Sequence, residues 1–165
     1  MIYIRRIEET RWRNPRFYDS DIISDLSTAE HELSVWSYRD NDTESKNKAL
    51  LAMAMTKETF KEYFYVELTE KEIQRLHLKV NDKLGATRFE KYNNLHRNIV
   101  VQSLFGLANI ARIIKRKINR KEIYLLASED EEVLFREYAI PQEMDFDKLN
   151  SKVFKKIYKE INGDS

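Results

Sequence analysis

The sequence predicts one domain of the α/β or α+β class, covering residues 1–165. A small sheet of about four to five strands is expected to pack with one long and several shorter helices. Three observations lead there. The chain is 42% hydrophobic and 12% aromatic over 165 residues, enough to close a core without a disulfide or metal staple. Runs of β-branched and aromatic residues alternate with stretches that carry helix-capping signals. Only three Gly and two Pro occur, with no repeat and no low-complexity linker, so the pattern describes one unit.

Taken in order, Ile2–Ile7 is dense in β-formers and reads as the first strand. Glu8 to Asp21 has no clear period, and Asn14-Pro15 marks a turn, since proline pushes the preceding residue out of the helical region. Glu32–Tyr38 alternates Leu33 and Val35 against Ser34, Trp36 and Tyr38, as a strand does. After the turn at 39–42, Thr43 or Asp42 caps a helix to about Met55, with Ala49, Leu50, Met53 and Ala54 as its apolar stripe. Tyr63–Leu68 reads as a central strand, and Thr69-Glu-Lys-Glu72 is a capping box that opens a short helix. Residues 78–80 suggest an edge strand, and Asn81–Lys91, with Gly85, a mobile loop.

A polar stripe of Asn98, Gln102, Asn109, Arg112 and Arg116 recurs at helical spacing and predicts one long helix from Tyr92 to Ile118. Glu122–Ala127 is another strand. Ser128-Glu-Asp-Glu131 reads as a second capping box, with its helix stopped at Pro141. The last helix, Asp147–Ile161, carries Leu149, Val153, Ile157 and Ile161 at four-residue steps and five lysines off that stripe.

Composition excludes several classes. Lys and Arg total 29 against 28 Asp and Glu, which argues against a general polyanion binder. Cysteine is absent, so disulfides, thiol catalysis and thiolate-bound metals are excluded, as suits a cytoplasmic protein. The richest apolar stretch, Ile99–Ile118, is broken by Gln102, Asn109, Arg112 and Lys115–Lys117, so no membrane span is expected. The opening Met-Ile-Tyr-Ile-Arg-Arg has no apolar core of a secretory signal. Phosphate-cradling glycine loops are excluded by the scarcity of glycine.

Four places could carry chemistry. Arg5, Arg6, Arg11, Arg13 and Arg16 are interleaved with Tyr3, Trp12, Phe17 and Tyr18. Guanidinium groups clamp phosphates, and Trp12 or Trp36 could stack on a base. The acidic residues that follow, Asp19, Asp21, Asp25, Glu30 and Glu32, offer those arginines local ion pairs instead. An extended strand sends Arg5 and Arg6 to opposite faces, so only one can enter a given cleft.

His31-Glu32 is the second place, a candidate acid/base pair at the mouth of a strand, although strand neighbours point apart. His96 and Ser103, seven residues apart on the expected long helix, would stand roughly 10 Å apart by helical rise, too far for a nucleophile and its base. The three histidines are widely spread, so neither a metal site nor a cofactor is expected.

Arg112, Lys115, Arg116, Lys117, Arg120 and Lys121 make a basic cluster at a helix C-terminus, where cations complement the dipole. With the lysines of the last helix on the same side, they would form a patch for an acidic partner or for nucleic acid. The leading expectation is an accessory protein that binds a protein partner through its C-terminal amphipathic helix. A small enzyme acting on a phosphate-bearing or nucleotide-type ligand at the Arg-rich segment is the alternative. A backbone-directed nucleic-acid binder ranks third.

Overall fold

Side chains alternate across strand β1 (Ile2–Ile7), and that alternation sets up both halves of the core. Ile2 and Ile4 face one way and Tyr3 and Ile7 the other, each side meeting its own cluster of buried residues. In a computed structural model the chain is described at residues 1–13, 19–26, 31–56, 59–87, 89–140, 144 and 146–163. The turn expected at Asn14-Pro15 and the stop at Pro141 lie outside these residues.

The sheet has six strands: β1, β2 (Glu32–Tyr38), β3 (Tyr63–Thr69), β4 (Lys79–Asp82), β5 (His96–Val100) and β6 (Ile123–Leu126). Their order is β4-β5-β2-β1-β3-β6, and every neighbouring pair is antiparallel. The result is a compact α+β domain with β1 at the centre of the sheet.

One face is covered by α3 (Thr43–Ala54), α6 (Ser128–Tyr138) and α7 (Lys152–Asn162), whose Leu51, Phe135 and Phe154 are buried on Ile4, Tyr38 and Tyr63. The other face takes α1 (Glu9–Arg13), α2 (Asp19–Leu26), α4 (Glu70–Arg75) and α5 (Leu104–Asn119), through Trp12, Leu26, Ile73 and Ile110. Among the described residues, no helix is long and apolar enough to cross a membrane.

Local signals explain most boundaries. Asp42 caps α3 by accepting from the Ser45 N–H at 2.9 Å. The Thr69–Glu72 capping box closes in both directions at the start of α4. The expected long helix from Tyr92 to Ile118 is two elements instead. Glu90–Leu95 is a 3-10 turn, His96–Val100 is strand β5, and the helix starts only at Leu104. Ile99, Val100 and Val101 are β-branched and favour the strand, while Ser103 caps α5 by accepting from the Gly106 N–H.

In the segment expected as a mobile loop, Asn81 and Asp82 belong to β4 and the end near Thr87 is held by Asn93. Asn93 accepts from the Thr87 N–H and hydroxyl and donates to the Thr87 carbonyl, and Phe89 is fully buried. Helix α7 begins at Lys152 rather than Asp147. It buries Phe154, Ile157 and Tyr158, with Leu149 buried just before it and Ile161 packed on the same cluster, so of the expected stripe only Val153 points out, 57% exposed.

The Ser128–Glu131 box is also replaced. Ala127 is the N-cap with no side-chain bond, and Glu131 turns inward to accept from the Lys61 N–H at 3.0 Å. Glu131 is fully buried, and its Oε1 has no hydrogen-bond partner. Burial pushes its carboxyl up to about 7, opposed by the Lys61 N–H and the charge of Arg6.

A carboxyl raised in the fold favours folding fully below its ordinary value near 4.5, and that contribution is lost as pH rises through about 7. Glu131→Gln keeps the acceptor and cannot ionise. In urea titrations it should equal the parent near about pH 3.5 and exceed it by up to about 3 kcal/mol near about pH 9.

Candidate functional site

Strands β1 and β2 part company halfway along. Their pairing runs from Ile2↔Tyr38 to Ile4↔Trp36, whereas β1 continues on β3 as far as Ile7↔Phe64. Strand β2 continues on β5 as far as Glu32↔Val100. Beyond Ile4 the sheet therefore forks, and a cleft of about 310 Å³ opens there, lined among others by Arg5, Arg6, Glu8, Asp25, Ser34 and Trp36.

Arg5 spans the fork. Its guanidinium donates to the Ser34 carbonyl at 3.0 Å and the Asp25 carbonyl at 2.8 Å, in place of ladder bonds that β1 no longer makes with β2. Burial lowers its pKa, with the charge of Asp25 opposing. Its Nε–H is buried beside the cleft with no acceptor. Arg6 emerges on the opposite face, 4.3 Å over the Tyr63 ring, and makes no ion pair among the described residues.

Arg11 and Trp12 of the Arg-rich opening are absorbed locally. Arg11 pairs with Glu8 at 2.7 Å and donates to the Ser24 hydroxyl. Trp12 is buried in the core and donates its indole N–H to Asp25 at 2.7 Å, so it offers no face for stacking. Arg16, Phe17 and Tyr18 lie outside the described residues.

His31 and Glu32 do not form a pair. His31 is exposed in a left-handed conformation (φ 58°), and its carbonyl accepts from the Val101 N–H. Glu32 instead accepts from the Asn98 side chain and from Lys83 at 2.9 Å, which holds its carboxyl below the usual range. The histidine that reaches β2 is His96, from the neighbouring strand.

The Ser34 hydroxyl and His96 Nε2 are 2.5 Å apart, and His96 Nδ1 is 2.8 Å from the Lys83 carbonyl. A carbonyl can only accept, so Nδ1 carries the proton and Nε2 is left to accept from Ser34. Trp36 packs edge-on to the imidazole at 5.0 Å and is itself buried, which makes it a wall of the cleft. Gly85 leaves room for that ring, since a Cβ there would come within 2.6 Å of Trp36. Burial lowers the His96 pKa, with Lys83 and Arg97 adding to the effect and the Lys83 carbonyl and Glu32 opposing it.

This pairing joins residues 62 positions apart, and no motif in the sequence announces it. Ser103, the partner considered from spacing, caps α5 instead.

The basic residues do not gather into one surface. Arg112, Lys115, Arg116, Arg120 and Lys121 are exposed on or just after α5, and Lys117 pairs with Glu72 at 3.0 Å. Helix α5 packs on one face of the sheet and the lysine-bearing α7 on the other. The apolar side of α7 is used inside the domain. Among the described residues, no group of three or more acidic or histidine side chains converges as a metal site.

Fold and site together define an α+β protein with a forked sheet and a polar cleft in the fork. No family model, curated protein or solved structure matches the chain.

Removing the Arg5 side chain would strand two carbonyls in the fork. Arg5→Ala should therefore lower unfolding stability by about 2–5 kcal/mol, read from urea midpoints. A loss below about 0.5 kcal/mol would show that the strands hold the fork open without it.

Proposed function

We propose that the protein is a small enzyme that takes a phosphate-bearing ligand in the fork between β1 and β2. The observation that carries this reading is the cleft at the fork, which both Arg5 and Arg6 line. Among the described residues, Arg6 has an aromatic ring beneath it and no carboxylate paired to it, and the buried Arg5 Nε–H has no acceptor. An anionic oxygen would supply the partner that Arg6 lacks there, and a cation held against a ring and partly desolvated binds it more strongly than one in bulk water. Glu131 is raised to about 7, so near neutrality this carboxyl only partly offsets the charge of Arg6. Trp36 is buried, so it supports the reading as a wall for an apolar part of the ligand and not as a stacking platform.

Among the described residues Arg6 makes no hydrogen bond to the fold, so its removal costs the fold little beyond the contact with the Tyr63 ring. Titration of the full chain with pyrophosphate, followed by tryptophan fluorescence, should saturate. Arg6→Ala should weaken binding by at least about tenfold while lowering stability by no more than about 1 kcal/mol. Equal binding by parent and variant would remove the reading.

A second reading, of an accessory protein with a protein partner, draws on a different surface from the last helix. Leu104 and Phe105 open α5 at 73% and 70% exposure, an apolar pair that the domain leaves uncovered. If that pair is the contact, Phe105→Ser should abolish co-purification of a stoichiometric partner while pyrophosphate binding is unchanged.

A further inference from the structure

The Ser34–His96 contact has the arrangement that activates a serine. The hydroxyl lies within hydrogen-bond reach of the base, the base is oriented by a third group, and the serine lines an open cleft. The Lys83 carbonyl fills the orienting role that a carboxylate often takes. It fixes the tautomer but carries no charge. The Glu32 carboxylate, held by Asn98 and Lys83, supplies a negative charge that favours an imidazolium at His96.

Resting on the phosphate-ligand reading above, we propose that Ser34 and His96 are a nucleophile and its general base, acting on a carboxylic ester whose anionic group Arg6 holds. The pair takes up one proton and returns one proton, which is the balance acyl transfer needs. Ser34 Oγ attacks the carbonyl carbon as its proton passes to His96 Nε2. The bond to the leaving oxygen then breaks, and that oxygen takes the proton from His96 and departs as an alcohol. Water next attacks the acyl carbon, giving a proton to His96. The Ser34–acyl bond breaks, and Oγ regains the proton. The sum is ester plus water to acid plus alcohol, with no oxidant or reductant.

The charged groups facing His96 are Lys83 from the segment after β4, Arg97 beside it on β5, and Glu32 on β2. Burial and the two cations keep the imidazole neutral and able to accept a proton, while Glu32 stabilises the cation once it forms.

A fluorophosphonate probe tests the nucleophile without knowledge of the natural ester. Its P–F bond breaks as a P–O bond to Ser34 forms, with the proton and fluoride leaving as HF. Intact mass and peptide mapping of the full-length parent should find one adduct, on Ser34. The labelling rate should rise with pH and reach its plateau below the usual histidine range near about 6.5. His96→Gln should slow it by about 100-fold or more and abolish that profile. Pyrophosphate should protect the parent from labelling, and protection should disappear in Arg6→Ala, which should still label.

An unlabelled Ser34 in a parent that binds pyrophosphate overturns the nucleophile and leaves the ligand reading standing. Labelling at Ser34 without protection overturns the anionic ester and leaves the nucleophile. Labelling that His96→Gln does not slow overturns the base. The adduct position is read on the parent, so the test holds even if Ser34→Ala does not fold.

Discussion

The fork at Ile4 is the constraint on which the polar side of the molecule depends. A strand in the middle of a sheet normally spends its N–H and C=O groups on two neighbours. Strand β1 does so only from Ile2 to Ile4, and afterwards keeps β3 alone. Backbone left open in this way either takes in water or is met by side chains. Here Arg5 reaches across to carbonyls on β2 and α2, which lets the two halves of the sheet separate without leaving those groups bare. The same separation exposes Ser34 and Arg6, side chains that a continuous sheet under helices would bury or exclude.

Electrostatics inside the domain follows from where the apolar layers end. Glu131 sits under the helical layer, and its carboxyl is raised. Glu32 lies at the sheet's polar margin, meets two donors and is lowered. His96 stands between these conditions, half sheltered by Trp36 and tied at both nitrogens. One fold thus holds a partly protonated acid and a neutral base near neutrality, and burial rather than residue type sets the difference.

Much of the scaffold was legible in the sequence because its signals are local. Strand β2 shows period-two alternation, β1 and β3 are dense in β-formers, and Asp42 and Thr69 cap the helices that follow them. The reading failed where two periods overlap. Asn98 and Gln102 continue the polar stripe of α5 backwards into β5, so spacing alone merges a strand with a helix. Glu131 matches a capping pattern, yet a buried N–H at Lys61 claims its carboxylate, and that competition depends on tertiary contact. The candidate site was legible only in part. Arg5, Arg6 and Trp36 do meet at one cleft. Its serine and histidine come from strands brought together by register, which one-dimensional spacing does not encode.

The central position of β1 also bears on how the chain reaches this state. Ile2 must find Tyr38 on one side and Thr69 on the other, while β2 waits for β5 and β3 for β6. During synthesis the middle strand is therefore made before either flank, and the fork residues remain open until the strand that carries His96 has emerged. Pairings this distant raise contact order and slow folding relative to a helical bundle of equal length. The nascent chain would expose the apolar faces and the unpaired backbone edges of β1 for that interval.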